Sequence, residues 1–171
     1  MYDPRMIIDL IADNVKKTRN PFGIPKFAVN RWWKKAEVGR KGDALLFTGL
    51  MYQFIPYIEK STEYLARFED TKWADSMGYG KYVPKWISGL GLAAITPGKE
   101  KERFNRILQD IAMILNRSGV DFFYDPKLDE YSGVLLYDLG DQDGFVEQAR
   151  YVAAKLKAKG VRKLITVGPH T

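Results

Sequence analysis

The run Ala44-Leu45-Leu46-Phe47 with Thr48-Gly49 behind it constrains the fold more than any other stretch of the chain. A short apolar run that stops at glycine reads as a buried strand. Phe54 to Phe68 follows, with apolar residues at Ile55, Ile58, Leu65 and Phe68, which is helical spacing. Strand, turn and helix in this order form the entry unit of an α/β sheet. Such sheets hold ligands just past the carboxyl ends of their strands. Thr48 to Gln53 should therefore lie on the rim of any functional centre.

The rest of the chain repeats the alternation. Asp3-Pro4 is a helix start, with Asp as N-cap and Pro at the first helical position, and Ile7, Ile8, Leu10, Ile11 and Val15 carry the apolar stripe. Asn20 to Pro25 holds two prolines and a glycine and reads as a rigid connector. Glu100 to Ser118 has Phe104, Ile107, Leu108, Ile111, Ile114 and Leu115 at helical period, with Gly119 at the stop position. Val120–Tyr124 reads as a second strand and Lys163–Val167 as a third. Between them lie a short segment at 134–139 and a helix capped by Asp141 or Asp143 that ends at Gly160. The expected fold is α/β: a small three-layer parallel sheet of about three strands with flanking helices. An N-terminal helical arm and connector occupies 1–43, and the α/β domain occupies 44–171 with an aromatic insertion at 70–98.

Composition narrows the chemistry. The 171 residues suit one domain, and the chain has no cysteine and one histidine, His170. Disulfides, thiolate metal sites and a cysteine nucleophile are excluded, and an all-protein zinc site is disfavoured. No catalytic residue, cofactor or metal site is expected. No apolar run reaches the ~20 residues of a membrane span and no secretory signal pattern opens the chain, so a cytoplasmic protein is expected. Residues 1–43 carry ten Lys and Arg against five Asp and Glu, while 44–171 carry seventeen against sixteen. The basic arm could dock on an acidic protein surface or on nucleic acid. Arg31-Trp32-Trp33-Lys34-Lys35 interleaves aromatics with cations, which suits a nucleic-acid contact, but a short helix burying one Trp while its lysines face water explains it better.

In a parallel sheet the three strand ends open on one side, so Thr48–Gln53, Asp129–Gly133 and Gly168–Thr171 should converge. They offer a polar pocket of Thr48, Tyr52, Asp129 and His170. A Ser132–His170–Asp129 triad can be written, but Ser132 lacks the strained elbow that exposes such a nucleophile. Gly89 to Ala94 matches a relaxed dinucleotide fingerprint without a strand before it. Asp141 to Gly144 hints at a calcium loop but has Val152 where the bidentate Glu belongs.

The same loops carry a family resemblance. Asn20-Pro21-Phe22-Gly23, Phe47-Thr48-Gly49-Leu50-Met51-Tyr52-Gln53, Tyr131-Ser132-Gly133 with Leu139-Gly140 behind it, and Thr166-Val167-Gly168-Pro169-His170-Thr171 occur in the order of motifs in a known domain. The chain resembles the cysteine-rich (CCG) domain of heterodisulfide reductase subunits and of the iron–sulfur subunits of glycolate and lactate oxidases. The resemblance puts the family's cluster cysteines at Leu50, Tyr131, Ser132, Gly168 and Thr171, and all five are absent. The first and second motifs are also farther apart than usual because of the insertion at 70–98. The resemblance implies a degenerate iron–sulfur site, since cluster ligation needs thiolates. It implies a structural or interaction module in a larger redox assembly, with other subunits of a redox complex or a second copy as partners. The alternatives are an oxidoreductase subunit that shapes a substrate pocket for a redox centre on a partner chain, with His170 and Tyr131 as hydrogen-bond donors, and a nucleic-acid module acting through the arm. Nucleic acid is the less favoured partner.

Overall fold

The computed structural model describes residues 4–69, 89–168 and 171. Its elements follow the alternation in the sequence: α1 (Pro4–Thr18), α2 (Lys26–Val29), a 3₁₀ turn (Trp32–Lys35), β1 (Ala44–Phe47), α3 (Met51–Glu69), α4 (Gly89–Ile95), α5 (Gly98–Arg117), β2 (Phe122–Phe123), α6 (Val134–Asp138), α7 (Gln142–Ala158) and β3 (Leu164–Thr166). The sheet has three strands in the order β2-β1-β3, all parallel. Ala44 pairs with Phe122 and Leu45 with Phe123 on one side, and Leu45 to Phe47 pair with Leu164 to Thr166 on the other.

The central strand is buried throughout, which is why it lacks polar alternation. Its two faces feed two cores. Leu46 packs with Leu108 and Ala112 of α5 and with Trp32, Phe122 and Tyr124, while Leu45 and Phe47 pack with Leu128 and with Val152 and Leu156 of α7. These are the three layers. A third core lies around the turn that follows β1, where Leu50, Phe54 and Tyr57 meet Val15 of α1, Phe22 and Ile24 of the connector, Leu92 of α4, and Tyr131, Val134 and Leu136.

Several elements differ from expectation in detail. β2 has two residues and β3 three, because only the stretch facing β1 finds a ladder partner. α3 starts at Met51, directly after the turn, and carries Pro56 inside it. Ile114 of α5 is exposed, while Ala112 takes an inward position. Gly89 to Ala94 is part of the seven-residue α4, which packs Leu92 into the third core, so it forms a helix and not a dinucleotide loop. Residues 70–88 of the aromatic insertion lie outside the described residues, as does the Asp3 cap. Among the described residues no helix is long and apolar enough to cross a membrane.

Candidate functional site

The turn after β1 is where the loops meet. Gly49 and Leu50 both adopt left-handed backbone, at φ 62° and 58°. Two such residues in succession reverse the chain sharply from the strand into α3. For leucine this conformation costs about 1–2 kcal/mol, which its surroundings must hold in place. Leu50 is buried. Ser132 donates its backbone N–H to the Gly49 carbonyl at 3.1 Å. A Cβ on Gly49 would lie 2.6 Å from Thr171 Cγ2 and 3.1 Å from Ser132 Cβ. Thr171 donates in turn to the Gly168 carbonyl at 3.1 Å. Leu50, Tyr131, Ser132, Gly168 and Thr171 are thus drawn together at the carboxyl ends of β1 and β3. Glycine at 49 is required both by its φ and by this close approach.

The assembly is pinned from below by one carboxylate. Asp129 is fully buried, and its Oδ1 accepts from the backbone N–H of Thr48 at 2.9 Å and of Gly49 at 3.2 Å. Its Oδ2 accepts from Thr48 Oγ1 at 2.6 Å and faces the Tyr124 hydroxyl at 2.7 Å. Thr48 Oγ1 itself accepts from Leu50 N–H at 3.1 Å and from Gln53 Nε2 at 2.8 Å. Tyr124 also lies 2.8 Å from Asn30 Oδ1. The network ties the ends of β1 and β2 to the segment that follows α2. Burial pushes the Asp129 carboxyl up to about 6 in spite of its donors, because removing a carboxylate from water outweighs them here. Burial, followed by the neighbouring Asp129, raises the Tyr124 hydroxyl as well.

A single Tyr124 proton can serve only one of its two acceptors. When Asp129 is protonated it donates to Tyr124, which donates to Asn30. When Asp129 is ionised Tyr124 must donate to it, and Asn30 must turn its amide. Asn30 Nδ2 is buried without a partner and is the atom that would turn in.

Of the polar residues Thr48, Tyr52, Asp129 and His170, the first three lie among the described residues. Thr48 and Asp129 are both fully buried and spend their hydrogen-bonding capacity on each other and on the scaffold. Tyr52 packs beside the Trp32–Leu108 core. His170 lies outside the described residues. The Ser132–His170–Asp129 triad loses its acid for the same reason, since Asp129 faces Thr48 and Tyr124. Tyr131 is buried, its hydroxyl accepting from Leu135 N–H at 2.8 Å and its carbonyl from Gln148 Nε2 at 2.8 Å. Its hydroxyl is raised, chiefly by burial. Asp141 is an N-cap, its side chain accepting from Gly144 N–H at 2.9 Å, which disposes of the calcium loop. Among the described residues no group of acids or histidines is placed to hold a metal ion.

The basic cluster at 31–35 divides. Trp32 is buried against Tyr124, ring centroids 4.7 Å apart at 60°, and Lys35 pairs with Glu102 at 2.8 Å. Sequence reasoning missed Asn30 and Tyr124 as partners of Asp129. Both stand among residues with their own local explanations, and no spacing links them to Asp129. Comparison with protein-family models, with curated proteins and with solved structures found no match to the chain.

Proposed function

We propose that the chain is a cluster-free relative of the CCG domain, serving as a structural and interaction module in a larger redox assembly. One observation carries this reading. The five positions that the resemblance gives to cluster cysteines come together around the Gly49–Leu50 turn, yet they are filled by a buried leucine, a buried tyrosine, a serine, a glycine and a threonine. None of these side chains supplies a thiolate for iron. The framework is nevertheless held with care: a left-handed leucine and a fully buried aspartate are costly features, and they stand beside a glycine with no room for a Cβ. A scaffold kept without its ligands suits docking better than catalysis.

The test restores what the resemblance says is missing. A variant carrying L50C, Y131C, S132C, G168C and T171C, expressed without oxygen alongside a cluster-assembly system, should acquire iron and acid-labile sulfide. The parent chain should acquire neither. Stoichiometric iron in the parent, or a variant that folds by circular dichroism and stays iron-free, would overturn the reading.

A further inference from the structure

Away from the loops, α2, the 3₁₀ turn, the loop after β2 and the end of α7 enclose a groove of about 730 Å³. Five lysines line it: Lys26, Lys34, Lys127, Lys155 and Lys159. They come from four separate segments, so no charge run in the sequence announces them. Asp125 is the one acid on the lining, and its Oδ1 already accepts from Lys127 N–H at 2.8 Å. Lys26 and Lys155 converge on the buried carboxylate of Glu130, Lys26 at 2.8 Å. Lys26 also donates to the carbonyls of Lys127 and Asp129. Burial pulls the Lys155 ammonium down, but its bond to Glu130 and that group's charge more than offset this and leave it raised. Both ammonium groups are therefore fixed in the wall. Lys34, Lys127 and Lys159 are exposed, and among the described residues none of them has a carboxylate within ion-pair distance.

Apolar groups share the lining. Leu128 and Pro126 belong to it, as does Phe27 with 79% of its surface exposed. Trp33 lines the groove too, but its indole N–H is spent on the Asn30 carbonyl at 3.1 Å and its ring is half-buried.

We infer that this groove is the docking site for an acidic protein segment bearing at least one apolar side chain. This rests on the interaction-module reading and gives it a surface. Three exposed cations and two that are paired with Glu130 attract negative charge, while an exposed phenyl on a lining shared with leucine and proline rewards an apolar anchor. A single-stranded nucleic acid would find the phosphate partners but only one freely exposed ring, which falls short of the successive platforms that base stacking uses.

The test uses the full chain and three labelled probes of about 12 units: a Glu/Asp peptide with a central Phe, the same peptide with Ser in its place, and oligo-dT. Fluorescence anisotropy should rank the Phe peptide about fivefold tighter than the Ser peptide. F27A should remove that difference. K127E with K159E should weaken the Phe peptide by about tenfold or more, and so should raising salt from about 50 to about 200 mM. K99E changes net charge equally per site but lies outside the groove, and should leave binding near that of the parent. The inference is overturned if the Phe peptide does not saturate at low salt, if K99E weakens it as much as K159E alone does, or if oligo-dT binds tighter than either peptide. Iron content plays no part in these readings, so a failed groove and a failed cluster-free reading are told apart.

Discussion

Leu50 states the account at the scale of one residue. Its side chain fills the third core while its backbone sits where glycine is at ease. Truncation to alanine should cost about 2–4 kcal/mol through the lost side chain. Glycine removes one carbon more but relieves the left-handed strain, so L50G should be more stable than L50A by about 1 kcal/mol. Elsewhere in a helix-forming stretch the order is the reverse. Denaturant midpoints of the two variants decide it, and alanine proving the more stable would show that the turn is not strained. Asp129 makes a second prediction, through its proton. The folded value near 6 lies above the ordinary carboxylate value of 3.8, so the folded protein binds the proton more tightly than the unfolded chain. Stability from this group is therefore fully present below about pH 4 and is lost as pH rises through 6, by about 3 kcal/mol in all. Surface acids whose values are lowered, such as Asp13 and Glu102, tilt the curve the other way. The measurement is accordingly the difference between the parent and D129N in denaturant midpoint from pH 4 to 7. A difference that grows in the parent's favour with rising pH would contradict the sign.

At the scale of elements, polar side chains do the joining. Asn20 is buried, its Oδ1 accepting from the N–H groups of Phe22 and Ile24 and its Nδ2 donating to the Ile24 carbonyl. N20A leaves these groups without partners in a closed connector and should cost about 2–4 kcal/mol. D141A removes the N-cap of α7 and should cost about 1 kcal/mol. Thermal unfolding of both variants tests the contrast, which a uniform loss would contradict. Sequence reasoning reached most of this level. The apolar run at 44–47, the period of 100–118 and the Asp141 cap are local signals, and each element they imply is present. The two-residue β2 and the exposed Ile114 were not legible, because ladder length and helix rotation depend on neighbours distant in sequence. The same limit hid the Asn30–Tyr124–Asp129 network. The burial of Thr48 and Asp129 was hidden too, since polar type alone does not distinguish a buried tie from an open site.

For the whole molecule, charge and topology separate two regions. The carboxyl ends of β1 and β3 carry the framework in which Leu50 and Tyr131 are buried, while five lysines line the groove beside α2 and α7. The central claim, that the chain works as a docked, cluster-free module, is met most directly by isolating it under mild conditions from its native extract. The isolate should then be weighed and analysed for composition. Iron–sulfur or flavin subunits should co-purify in fixed proportion and release at high salt. The chain emerging alone, or with partners that carry no redox centre, would contradict the account.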